Sequence, residues 1–139
     1  MAARVALFPF PYQGHANPMF RLAAVLHARG FPVTVHPPEY RFVAVPDAIP
    51  AELVASEDVA ALNASCAAPF GDRLAALLAK EGGVRCVIAD VLWYEPAAAA
   101  RELGVPLLAL MTSSASSFRM YMEYPVLIDR GFLPVNDNL

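Results

Sequence analysis

Three residues, far apart in this sequence, could carry out acid–base chemistry together. His15 lies in Phe8-Pro9-Phe10-Pro11-Tyr12-Gln13-Gly14-His15-Ala16-Asn17-Pro18-Met19. Asp90 lies in Cys86-Val87-Ile88-Ala89-Asp90-Val91-Leu92-Trp93-Tyr94, and Thr112 in Leu110-Met111-Thr112-Ser113-Ser114. An imidazole takes or gives a proton near neutral pH. A carboxylate beside it fixes its tautomer and stabilises the imidazolium, which makes it a better base. A hydroxyl beside both could bind a substrate oxygen. Each of the three also has a plainer reading, His15 as a surface loop histidine and Asp90 and Thr112 as helix N-caps, and the nearby Trp93 reads most simply as core packing.

The elements around these residues decide whether they can meet. Val5 to Pro9 is apolar throughout, as expected of a parallel strand covered on both faces. Asn17 and Pro18 offer an N-cap and a first helical residue. Met19, Leu22, Ala23 and Leu26 follow at the spacing of one buried helical face, and Arg29-Gly30 closes it. Pro32 to Val35 reads as a second strand and Arg41 to Val45 as a third. Ser56-Glu57-Asp58 opens a helical stretch that Pro69 and Gly71 are expected to break in two, its second part ending at Gly82-Gly83. Cys86 to Ala89 is a fourth strand, Tyr94 to Leu103 a helix closed by Gly104, Leu107 to Leu110 a fifth strand, and Ser113 to Asp129 a last helix followed by Gly131. Strands alternating with helices predict an α/β fold, a Rossmann-like parallel sheet flanked by helices. In such a sheet the ends of strands one, four and five open on the same edge, which brings His15, Asp90 and Thr112 together.

Composition narrows the function. With 139 residues the chain can build one domain with a real core. Its net charge of −3 and scattered arginines, beside a single lysine, Lys80, offer nothing to nucleic acid or an anionic membrane. No apolar run is long enough to span a bilayer, and the N-terminus is too short and proline-rich for a signal peptide. Cys66 and Cys86 lack metal or redox spacing, so they read as reduced thiols of a cytoplasmic protein. His27 reads as a helix-surface residue and His36 as a loop residue, so no metal site is expected. The first turn has one glycine and no GxGxxG, which argues against dinucleotide binding; no P-loop or GxSxG elbow is present. At 58% hydrophobic and 17% charged, the chain has more apolar surface than a self-contained domain usually needs.

The motif blocks resemble a known family. Phe8-Pro9-Phe10-Pro11, Gln13-Gly14-His15 and Asn17-Pro18-Met19 together look like the opening of the plant family 1 UDP-dependent glycosyltransferases. Val87 to Tyr94 is similar to their catalytic-aspartate strand, and Leu110 to Ala115 to the segment that reaches the sugar donor. Tyr124-Pro125-Val126-Leu127 through Gly131-Phe132-Leu133-Pro134 is similar to the end of that region. The Phe-Pro-Phe-Pro and Trp-Tyr variants resemble the branch acting on small hydrophobic metabolites and cytokinins.

The resemblance implies one half of a GT-B architecture, residues 1–139 being the N-terminal acceptor-binding domain, with the C-terminal UDP-sugar-binding domain absent from these residues. His15 would be the general base on the acceptor hydroxyl, paired to Asp90. Thr112 would contact the UDP-sugar donor, and Phe10, Trp93 and Phe118 would wall the pocket of a small hydrophobic acceptor. No cofactor is implied: the co-substrate is UDP-glucose or another UDP-sugar, and the reaction is inverting. A non-catalytic small-molecule-binding module or a truncated gene product is the alternative, because the family's donor-binding box does not occur in these residues; the isolated chain is expected to be inactive. The chain departs from the family between strands two and three, where Val33 to Phe42 leaves five or six residues for a crossover that needs about ten or more.

Overall fold

A computed structural model describes residues 4–34, 49–80 and 83–133. The order is β1 (Arg4–Phe8), α1 (Gln13–Ala28), β2 (Val33–Thr34), α2 (Ala51–Ala55), α3 (Val59–Leu78), β3 (Val84–Asp90), α4 (Tyr94–Glu102), β4 (Leu107–Leu110) and α5 (Ala115–Asp129). The four strands form one parallel sheet in the order β2-β1-β3-β4. The strand expected at Arg41 to Val45 and its connection from β2 lie outside the described residues.

The apolar run of β1 is covered on both faces, as its composition demands. Val5 and Leu7 pack with Ile88 of β3 against Met19 and Ala23 of α1. Ala6 and Phe8 point to the opposite layer, where Val87 and Ala89 meet Leu62, Cys66, Phe70 and Leu74 of α3 and Ala100 of α4. Alternation along each strand thus sends successive side chains into two separate cores. Each fully buried aliphatic or aromatic side chain contributes roughly 1.5–3 kcal/mol relative to exposure.

Two helices differ from expectation. Helix α1 begins at Gln13, five residues before Pro18. Its cap residue is Tyr12, whose carbonyl accepts from the N–H groups of His15 and Ala16 at 2.9 and 2.8 Å. Pro18 therefore sits inside the helix and forfeits the bond its N–H would have made to Gly14; burial of Met19 and Ala23 offsets the loss. His15 consequently stands on the first turn of a helix, not on a loop. Helix α3 runs unbroken from Val59 to Leu78 through Pro69 and Gly71. Its stripe of Leu62, Cys66, Phe70 and Leu74 stays in one core only if the helix continues, so packing overrides the breaker signal. It starts where Asp58 accepts from the Ala61 N–H at 2.9 Å. Gly30, Gly104 and Gly131 close α1, α4 and α5 at positive φ.

Candidate active site

The chain leaves β1 for β2 on one side and returns for β3 on the other, so the strand order reverses between β1 and β3. Open parallel sheets bind ligands at such a switch point, outside the C-terminal strand ends. His15 follows β1, Asp90 is the last residue of β3, and Thr112 lies just past β4. Registers Phe8↔Ala89 and Asp90↔Leu110 bring the three strand ends level.

The side chains meet on one atom. His15 Nδ1 lies 2.8 Å from Asp90 Oδ2 and 3.0 Å from Thr112 Oγ1. The Asp90 side chain is fully buried, while His15 keeps 26% of its side chain exposed. The other carboxylate oxygen, Oδ1, accepts from the Leu92 N–H at 3.0 Å. A lone pair on Nδ1 facing a carboxylate would be repulsive, so Nδ1 carries the proton and donates it. That tautomer leaves the Nε2 lone pair as the basic position. Asp90 in turn needs the imidazole, because a buried carboxylate without donors is costly.

An open cavity of about 510 Å³ adjoins the triad, lined by His15 and Thr112 and by the apolar Val91, Leu92, Phe118 and Tyr121 among others. Phe118 is on the wall of that cavity. Phe10 and Trp93 are not. Phe10 is 0% and Trp93 1% exposed, both within the core that α3 covers. Their rings meet at a tilt with centroids 4.5 Å apart, and the Trp93 indole N–H donates to the Pro9 carbonyl at 3.0 Å. They back the site rather than face a ligand; Phe10 lies 5.7 Å from the His15 ring. The capping role that Asp90 and Thr112 could each have had falls elsewhere: α5 is capped by Ser114, and the cap residue of α4 is Trp93, which makes no side-chain cap bond.

What caps α4 is a residue that the motif reading passed over. Asn63 of α3 is fully buried. Its Oδ1 accepts from the Glu95 N–H at 3.1 Å, and its Nδ2 donates to the carbonyls of Leu92 at 2.8 Å and Val59 at 2.9 Å. Asn63 therefore clamps the turn that joins Asp90 to α4. The signal was present: positions 63, 66, 70 and 74 share one helical stripe, and an asparagine on an apolar stripe must find buried partners.

Both cysteines are free thiols. Burial pushes the Cys66 thiol up to about 11 and raises that of Cys86 as well. Among the described residues no cluster of three or more His, Cys, Asp or Glu could hold a metal, and no helix is long and apolar enough to cross a membrane.

A parallel α/β sheet with a buried carboxylate holding a histidine at its switch point defines the class: a Rossmann-like domain. Solved structures agree on the fold. Os79 from O. sativa in complex with UDP superposes with a TM-score of 0.77 at 23% identity, over 91% of this chain and 32% of that one. No family model matches the sequence. Curated relatives do: DIMBOA UDP-glucosyltransferase BX8 of Zea mays is 50% identical over 159 residues, covering 96% of this chain and 35% of the relative. DIMBOA UDP-glucosyltransferase BX9 of Zea mays is 53% identical over 150 residues, covering 96% and 32%. By sequence this chain belongs with the plant UDP-dependent glycosyltransferases, and it spans about a third of the length of the curated relatives it matches.

Proposed function

We propose that these residues form the acceptor-binding and base-bearing part of a UDP-sugar glycosyltransferase, with His15 as general base and Asp90 as its orienting partner. The observation that carries this reading is the 2.8 Å contact between His15 Nδ1 and Asp90 Oδ2 at the rim of an apolar cavity. Nε2 would take the proton of an acceptor hydroxyl or amine as that atom attacks the anomeric carbon of the sugar. The bond from that carbon to the diphosphate breaks, UDP leaves with the bonding pair, and configuration inverts. Asp90 stabilises the imidazolium formed in the step. The apolar wall of Val91, Leu92, Phe118 and Tyr121 favours a small hydrophobic acceptor. A donor bound by groups beyond these residues would supply the leaving-group stabilisation on which the rate depends. The 139 residues by themselves are therefore expected to bind acceptor while transferring little sugar.

Acceptor titration with transfer as a second readout tests this. DIMBOA, the acceptor in the names of the maize relatives, and a panel of simple phenols are titrated into the 15N-labelled chain. The amides of Gly14, Thr112 and Phe118 should shift together. UDP-glucose is then added and glucoside sought by mass spectrometry, with the His15→Ala variant alongside. Ligands that leave those amides unmoved at millimolar concentration sink the acceptor-site reading. Glucoside that depends on His15 overturns the expected inactivity and leaves the base assignment standing. A melting temperature raised by NAD would replace both with a nucleotide-binding reading.

A further inference from the structure

We propose that Thr112 is a positioning residue for His15, the second oxygen on Nδ1, and that its own hydroxyl proton is thereby committed to the cavity. The inference rests on the base assignment above and gives Thr112 a task distinct from the donor contact that the sequence resemblance implies. Two oxygens crowd one ring nitrogen, Asp90 Oδ2 at 2.8 Å and Thr112 Oγ1 at 3.0 Å. That nitrogen has a single in-plane position, filled either by a proton or by a lone pair. Beside an imidazole an aspartate carboxylate serves as the acceptor, at 2.8 Å here. The proton therefore sits on Nδ1, and Thr112 turns a lone pair toward it. A hydroxyl that accepts on one side has its hydrogen free on the other, and Thr112 lines the cavity.

The two oxygens come from different strand ends, Asp90 from β3 and Thr112 from beyond β4. One hydrogen bond leaves an imidazole free to swing about it; a second oxygen from another direction removes that freedom and fixes where Nε2 sits. The same geometry couples ligand to base. A ligand oxygen that takes the Thr112 proton makes Oγ1 a better acceptor and strengthens its hold on Nδ1–H, because linked hydrogen bonds polarise one another. Arrival of a ligand thus completes the alignment of the base.

Nuclear magnetic resonance of the 15N-histidine-labelled chain tests this without any turnover, with the His15 signals assigned by their loss in His15→Gln. Wild type should show the Nδ1–H tautomer with a slowly exchanging Nδ1 proton. Thr112→Val keeps the shape and removes the oxygen; exchange should quicken about three- to tenfold, the factor that follows from losing one neutral hydrogen bond. Thr112→Ser should restore exchange to within about twofold of wild type, which a packing role for the methyl group would not predict. If Thr112→Val proves unfolded, Thr112→Ala takes its place with the same expectation. Unchanged exchange in a folded hydroxyl-less variant overturns the proposal, as does a wild-type Nε2–H tautomer. The readout needs no acceptor or donor. Quickened exchange beside a failed acceptor titration would keep the positioning role and remove only the transferase reading.

Discussion

Replacing Asn63 probes the clamp on which the Asp90 turn depends. Asn63→Leu keeps the approximate volume and removes three hydrogen bonds. The Val59 carbonyl keeps its place in the ladder of α3, so that loss is slight. The Leu92 carbonyl loses its 2.8 Å donor and keeps only the Tyr94 N–H at 3.2 Å, while the Glu95 N–H loses its side-chain partner. A group left unsatisfied costs about 1–3 kcal/mol when it stays buried and less where water reaches it, as at the exposed Glu95. The expected destabilisation is therefore about 2–4 kcal/mol, a large part of the roughly 5–15 kcal/mol of an ordinary domain. With a urea dependence of about 1–3 kcal/mol per molar, the unfolding midpoint should fall by about 1–2 M. Asn63→Asp sharpens the test. It keeps the acceptor for Glu95 but places a carboxylate oxygen where Nδ2 met two carbonyls at 2.8 and 2.9 Å. It should cost at least as much as Asn63→Leu, through repulsion and burial of a charge. Amide exchange should quicken first at Leu92 and Glu95. An Asn63→Asp protein whose midpoint and Leu92 exchange match wild type would refute the clamp.

Two further predictions concern groups around the site. Trp93→Phe removes the indole donor to the Pro9 carbonyl and part of a buried ring, and should lower stability by about 1–3 kcal/mol in the same urea assay; an unchanged midpoint would mean that the ring is not the back wall of the site. Burial holds the Cys66 proton up to about 11, against 9.0 for the free thiol, so above pH 9 the unfolded chain releases a proton that the folded chain retains. Stability should then fall between about pH 9 and pH 11, and the slope should flatten in Cys66→Ala; a wild-type curve parallel to that of the variant would remove burial as the cause.

The parallel sheet and the meeting of His15 with Asp90 were legible because they follow from order and pattern alone. An unbroken apolar run must be covered on both faces, and strands alternating with helices must run parallel, so polar residues at strand ends share an edge. Local rules failed where tertiary packing overrode them. Pro18 is a good first helical residue, yet α1 starts five residues earlier because Tyr12 can close the turn and the buried face of Met19 and Ala23 holds the helix. Pro69 and Gly71 read as a break, yet one stripe of α3 has to stay in one core. Phe10 and Trp93 could not be assigned to core or cavity from type, since an aromatic beside a strand end at a switch point suits either. The fold decides it: Trp93 stacks on Phe8 and packs at a tilt against Phe10 behind the site. Asn63 escaped because its function lies in contacts 29 and 32 residues away, which no local motif encodes.

The site is assembled from two unequal halves. His15 and Asp90 stand on elements anchored in the double core: β1 and β3 are neighbours in the middle of the sheet, and Asn63 and the Leu92 N–H fix the turn from behind. Phe118 and Tyr121 stand on α5, which has no buried residue, beside edge strand β4, where Leu108 is 60% exposed. Local stability follows buried apolar contact, so His15 is held by the most protected part of the described chain and the cavity wall by the least. The division has a chemical logic. Proton transfer fails if the base is misplaced by a fraction of an ångström, whereas an apolar wall binds by area and tolerates adjustment. Substitutions on α5 should therefore reshape the cavity without disturbing His15, while substitutions at Asn63 or Trp93 should reach His15 through the core although neither residue lines the cavity. Thr112 lies at the seam: it follows β4, the exposed edge, yet bonds to the histidine of the rigid half, so a ligand seated against α5 can be felt at Nδ1.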